Sequence, residues 1–331
     1  MDTEKIQILL FQEIREKTPK HISLADSVAA LLEISPDSAY RRIRGEKPIS
    51  LEELQKLSVH YNLSLDRLLN PSGKSFLFNG DLLDESNYDI EQWLAQLNQM
   101  TQSIKKQSDV HVYYIAKDVP FIYPLQFPVL AAFKDFFRKK YLAPRTHARG
   151  SKFSTADQDL AVNALSNQIV NAYNTIASTE IWSSESFNSI IKQIQFYHYT
   201  GQFASEKDRF VLFDTLETMI NHLEHQAEIG IKYKFGEKPE KDAAGYNLYN
   251  NELFIGEDTI LADLGDAKIT FLNHSFINYM TTSDQLFCNY TFRNIKTIIA
   301  RSTPVSWAGE KDRRIFFNSL KKKLDDARSS R

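Results

Sequence analysis

Apolar residues recur at three- and four-residue intervals along most of this chain, the spacing that lines one face of a helix. Ile6, Leu9, Leu10 and Ile14 predict a first helix over residues 3–17, ended by Thr18-Pro19. Residues 88–107 repeat the pattern, with Ile90, Trp93, Leu94, Leu97 and Ile104 on one face. A helix over residues 129–141 carries Phe133, Phe136 and Phe137. Three long helices are predicted at about 155–177, 184–199 and 206–229, the last ended by Gly230. Helices near 274–281, 285–300 and 310–327 close the chain.

The period changes to that of a strand in few places. Residues 110–116 are rich in β-branched and aromatic side chains. Residues 252–255, 259–263 and 268–273, separated by Gly256 and Gly265, read as a meander of antiparallel strands. Pro120, Pro124 and Pro128 break the stretch after the first strand, and 236–247 is polar and reads as a loop. The fold class expected is mainly α with a small β component (α+β). An N-terminal all-α region precedes a larger, mostly helical region with a short antiparallel sheet.

The most informative stretch is 23–69. Val28, Ala29, Leu32 and Ile34 fit a short helix and the turn after it. Leu32-Glu33-Ile34 is too short to wander, so two helices meet there at a steep angle. Ser35 is a good N-cap, Pro36 suits the first helical position, and Asp37 suits the positive end of the helix dipole. The second helix runs to Arg44 and stops at Gly45, with Ala39 and Ile43 facing inward. Asp37, Ser38, Tyr40, Arg41, Arg42 and Arg44 are left facing outward or sideways.

That order is a helix-turn-helix with an arginine-bearing second helix. Through Val28-Ala29, Ile34-Ser35, Arg44-Gly45, Ile49-Ser50-Leu51-Glu52-Glu53-Leu54 and Leu63-Ser64-Leu65-Asp66-Arg67-Leu68-Leu69, the stretch resembles the lambda-repressor-like (Xre-type) DNA-binding family. Glu33 occupies the turn where that family carries a small residue, often Gly. The resemblance implies a recognition helix over 35–44 in the major groove of double-stranded DNA. Arg41 is then the candidate for base readout, with Tyr40, Asp37 and Ser38 beside it and Ser35 at the helix start. Arg42, Arg44 and Lys47 are candidates for phosphates. It also implies a homodimer on two half-sites about one helical turn apart.

Composition narrows the partners. At 331 residues the chain suggests two or three domains. Asn70-Pro71-Ser72-Gly73 reads as a linker, giving a DNA-binding domain over 1–70 and a regulatory or dimerisation region over 71–331, as one or two subdomains. The net charge is −2, and residues 1–70 hold ten Lys/Arg against eleven Asp/Glu. DNA affinity must therefore come from a local face, and Arg41, Arg42, Arg44 and Lys47 form the densest cluster. The single Cys288 excludes an internal disulfide and fits a reducing cytosol. No apolar run has the length of a membrane span, so a soluble, cytoplasmic protein is expected.

Other clusters point less clearly to chemistry. His222 and His225 are spaced to offer two metal ligands on one helix face, with no third ligand placed by sequence. Asp263, Asp266 and Lys268 loosely match the carboxylate and lysine set of metal-dependent nucleases, which would make the first domain a delivery device. Cys288 lies in an apolar helical context and reads as a core residue. The basic run over 138–152 is a second anion contact or a solvated loop, and Lys321-Lys322-Lys323 reads as a helix end. Aromatic density over 113–141 could line an apolar ligand pocket. Neither nucleotide cradle motif is present. No catalytic residue, metal site or cofactor is expected. The expectation is a transcriptional regulator, not an enzyme, with a protein-interaction module as the other alternative. The later region would dimerise, sense an effector of unknown identity, or both.

Overall fold

The computed structural model describes residues 3–19, 22–61, 63, 65, 75–84, 86–142, 151–240, 243–253, 256–275, 278–307 and 309–329. It divides into two compact units, Met1–Leu77 and Phe78–Arg331. The expected linker Asn70–Gly73 lies outside the described residues, as does the expected helical ending at Leu68-Leu69.

The described part of the first unit is all α. Helices α1 (Thr3–Lys17), α2 (Leu24–Leu32), α3 (Pro36–Ile43) and α4 (Leu51–Tyr61) surround one apolar core. Leu10 and Ile14 of α1, Val28 and Leu32 of α2, Ala39 of α3 and Leu57 of α4 are buried together. Of the residues that predicted α1, Leu9 is the one left substantially exposed.

The second unit is built on a seven-stranded mixed sheet, larger than the short antiparallel sheet expected and partly parallel. Its strands are β1 (His111–Ile115), β2 (Ala177–Trp182), β3 (Tyr246–Asn250), β4 (Thr259–Asp263), β5 (Lys268–Asn273), β6 (Tyr279–Thr282) and β7 (Thr303–Pro304). The spatial order is β6-β5-β4-β1-β2-β3-β7. β1, β2 and β3 run parallel, His111 opposite Ala177 and Ser178 opposite Tyr246. The meander β4-β5-β6 is antiparallel, as expected for its first two strands.

Helices cover both faces. They are α5 (Ile90–Lys105), α6 (Ile122–Leu125), α7 (Pro128–Leu142), α8 (Leu160–Tyr173), α9 (Asn188–Tyr199), α10 (Glu206–Ile229), α11 (Gln285–Ile299) and α12 (Glu310–Ser329). Side chains alternate along β1: Val112 and Tyr114 join the main core, while Tyr113 and Ile115 join a smaller one with Ile295 of α11.

Several expectations are corrected. Of the helix expected over 274–281, residues 276–277 lie outside the described residues and the last three belong to strand β6, whose Tyr279-Met280-Thr281-Thr282 extends the meander. Residues 252–253 of the strand expected over 252–255 are not in a strand and 254–255 lie outside the described residues; a strand runs earlier instead, as β3, and its first residues fall in the expected loop. The helix expected over 155–177 starts at Leu160, where Asp159 caps two backbone N–H groups, and ends at Tyr173, freeing Ala177 to begin β2. Lys321-Lys322-Lys323 sits inside α12, which continues to Ser329.

Candidate nucleic-acid interface

Each turn of the helix-turn-helix has a local cause. Ser23 opens α2 by accepting from the Asp26 N–H at 3.4 Å. α2 ends at Glu33, which adopts the left-handed conformation (φ 56°) and donates its N–H to the Ala29 carbonyl. A side chain there costs strain that glycine would avoid. Ser35 then accepts from the Ser38 N–H at 3.3 Å, and Pro36 occupies the first turn of α3. Gly45, at φ 80°, lets the chain turn out of α3.

α3 has one buried edge and one exposed edge. Ala39 is fully buried against the core and Ile43 packs beside it. Asp37, Tyr40, Arg41, Arg44 and Lys47 are exposed, and Ser38 is half-buried. Ser35 is exposed at the helix start.

Arg42 is the exception among the expected contacts. It was expected to face outward, but it is 5% exposed. Its Nε and Nη2 donate to the two carboxylate oxygens of Glu53 at 3.0 and 2.6 Å, and Nη1 donates to Ser38 Oγ at 2.8 Å. The reason is positional: Arg42 follows Ala39 by three residues and so lies on the buried edge, where a charge persists only with a partner. The Arg42 guanidinium holds the Glu53 carboxyl below its usual range.

Glu53 also belongs to a reciprocal cap at the start of α4. Ser50 Oγ accepts from the Glu53 N–H at 3.1 Å, and Glu53 accepts from the Ser50 N–H at 3.0 Å. From α1, buried Gln7 donates to the carbonyls of Arg42 and Lys47 at 2.7 and 2.8 Å. Its carbonyl oxygen accepts from the Ile49 N–H at 3.1 Å. Gln7, Ser50 and Glu53 thus fix the exit of α3, and sequence reasoning gave them no such role. The Ser50-x-x-Glu53 spacing was a legible signal for the cap; Gln7 left none.

The exposed cations are only partly neutralised. Glu46 lies 3.1 Å from Arg44 Nε and 4.0 Å from Arg41 Nε. The three side chains are all about half exposed, so these pairs are weak.

The other clusters singled out by sequence are engaged internally. His222 is buried and shares Tyr233 O with Gln226, while His225 pairs with the Tyr233 hydroxyl. Burial pulls the His222 imidazole down to about 4. The two rings are therefore each held by Tyr233, and no group of three metal-ligating side chains occurs among the described residues. Asp263 pairs with Lys268 across the β4-β5 hairpin at 3.5 Å. Cys288 is buried, accepts from Thr270 Oγ1, and burial pushes its thiol up. Lys321 and Lys323 pair with Glu224 and Glu185, each at 2.6 Å. Residues 143–150 of the basic run lie outside the described residues. Arg138, which begins that run, is buried with its guanidinium 4.8 Å above the Trp93 ring.

Residues 13–106 match the BetR domain, a helix-turn-helix-like DNA-binding domain family. The matched stretch takes in α2 to α4 and reaches the end of α5. The match supports a DNA-binding regulatory domain there. No curated protein and no solved structure matches the chain significantly. No helix among the described residues is long and apolar enough to cross a membrane.

Proposed function

We propose that the protein is a sequence-specific DNA-binding transcriptional regulator of the lambda-repressor-like kind, acting in the cytoplasm as a homodimer. In this reading α3 enters the major groove. Arg41 reads a base edge, with Tyr40, Asp37 and Ser38 beside it and Ser35 at the groove-facing helix start. Arg44 and Lys47 hold phosphates. Arg42 takes a different part: its ion pair with Glu53 positions the helix that carries the readers. The second unit dimerises, senses a small molecule, or both. The protein is a binding protein and not an enzyme.

The observation that carries this reading is the asymmetry of α3. Ala39 and the Arg42–Glu53 pair hold one edge rigidly, and the opposite edge presents Tyr40, Arg41 and Arg44 to solvent. Rigid support beneath exposed donors is what base readout requires. The BetR match over the same residues supports it independently.

The test is a comparison of two substitutions by fluorescence anisotropy on selected duplexes. Arg41→Ala is expected to relax preference at one base position by about 1–3 kcal/mol. Arg44→Ala is expected to weaken all duplexes evenly and to lower the salt slope by about one. Equal, sequence-independent losses for both would remove Arg41 from base readout.

A further inference from the structure

Two cavities in the second unit adjoin one another. The inner one, of about 360 Å³, lies between α5 and the sheet. Trp93, Leu97 and Met100 of α5 face Val112, Ile260 and Phe271 of the strands across it. Three of its polar wall groups are already engaged. Asn278 accepts from the Leu83 N–H at 3.1 Å, Thr281 donates to the Asn79 carbonyl at 3.1 Å, and Thr101 donates to the Leu97 carbonyl at 2.8 Å. The space therefore suits an apolar body, and its size falls in the range of about 300–1,000 Å³ common to small-molecule pockets.

The outer cavity, of about 880 Å³, is lined by charge. Trp93, Tyr114, Phe121 and Tyr279 form the wall common to both cavities. Most of the outer charges are matched. Lys117 pairs with Glu257 at 2.7 Å, Glu185 with Lys323 at 2.6 Å, and Lys134 lies 3.9 Å from Asp118. Asp258 accepts from the N–H groups of Lys117 and Asp118.

Arg138 differs. It is 7% exposed, and its Nε is buried with no hydrogen-bond partner among the described residues. No carboxylate lies within ion-pair distance of it among those residues. Its guanidinium also hydrogen-bonds the Tyr88 hydroxyl, which donates to Asp135 Oδ1 at 3.2 Å, so the demand left unmet is that of the buried Nε at the edge of an apolar chamber.

We propose that the two cavities form one binding site for an amphipathic organic anion. An aromatic or aliphatic body fills the inner chamber, and an acidic head group of the carboxylate or sulfonate type accepts from Arg138. The head would form the charge-assisted bond that Arg138 Nε lacks, and the body would displace water from the largely apolar inner walls. The site's use as the signal input of a regulator rests on the DNA-binding reading. The binding itself does not, and it is measured without DNA, so the two fail separately.

The experiment uses two probes with one ring body: 1-anilinonaphthalene-8-sulfonate, which carries an anion, and N-phenyl-1-naphthylamine, which does not. Titrations use the full-length native chain. The sulfonate is expected to bind about tenfold tighter than the neutral probe, the scale of one hydrogen bond to a charged group. R138Q is expected to abolish that preference and leave the neutral probe unchanged, while R138K retains part of it. M100W, which adds bulk to the inner chamber from the half-buried Met100, is expected to displace both probes. Melting curves with and without probe establish that the signal comes from folded protein, since a ligand of the native state raises the melting temperature. Equal affinity of the wild type for the two probes overturns the proposal. So does an unchanged preference in R138Q, or undiminished binding in M100W.

Discussion

Arg42 and Arg41 are neighbours in sequence and do opposite work. Arg41 lies about half exposed beside Glu46, and Arg42 is buried on Glu53. A residue type that is nearly always exposed biased the sequence reading towards the surface, although the three-residue step from Ala39 already pointed inward. Truncating Arg42 leaves the Glu53 carboxylate without its guanidinium. Arg42→Ala is expected to cost about 3 kcal/mol in urea unfolding of the first unit. The same pair sets a pH dependence. The folded-state pKa of Glu53 is depressed, so its contribution is present at neutral pH and is lost as pH falls through the carboxylate range. Glu53→Gln is expected to flatten that part of the acid limb, which a series of melts from pH 7 to pH 3 would measure. Glu46 works the other way. It pairs with Arg41 and Arg44 and would repel phosphate, so under the proposed function Glu46→Gln is expected to raise DNA affinity several-fold at low salt. Unchanged affinity in that variant would mean that the two arginines do not meet the duplex.

At the scale of elements, helices with their own caps were legible, as was β1 from its β-branched and aromatic run, while β2 and β6 were not. The long helix α10 runs over Glu206–Ile229, as its sequence suggested, because Ser205 and Asp208 cap its start and Gly230 closes its end. Gly230 has φ 69°, and a Cβ there would stand 2.1 Å from the Trp307 ring. Gly230→Ala is therefore expected to lower the melting temperature of the second unit by several degrees, through both strain and overlap. A melt equal to wild type would show that Trp307 swings aside freely. Those two strands fared differently. β2 hides its nature because its centre carries Glu180, fully buried and satisfied by Tyr123, Tyr173, Ser178 and Trp182. Nothing in a single sequence shows that four donors converge on that carboxylate. β6 reads equally well as helix or strand until β5 is beside it, since short apolar runs carry no decisive period.

At the scale of the whole molecule, each unit owns its core. The first unit's core is small and helical, and its exposed α3 edge was legible because a helix-turn-helix is a local motif. The second unit's core draws on strands far apart in the chain, and its cavities were foreshadowed only by aromatic density around Tyr114 and Phe121. With a net charge of −2 the protein has no general attraction for nucleic acid, so a modest salt slope reflecting a few phosphate contacts is expected. The most direct test of the central claim is a selection from random genomic fragments with three proteins: the full chain, its Arg41→Ala variant, and a chain beginning at Phe78. The full chain is expected to enrich one shared motif, with Arg41→Ala degenerate at a single position of it and the shortened chain enriching nothing. Enrichment of the same motif by the shortened chain, or of no motif by the full chain, would contradict the assignment of α3 to DNA.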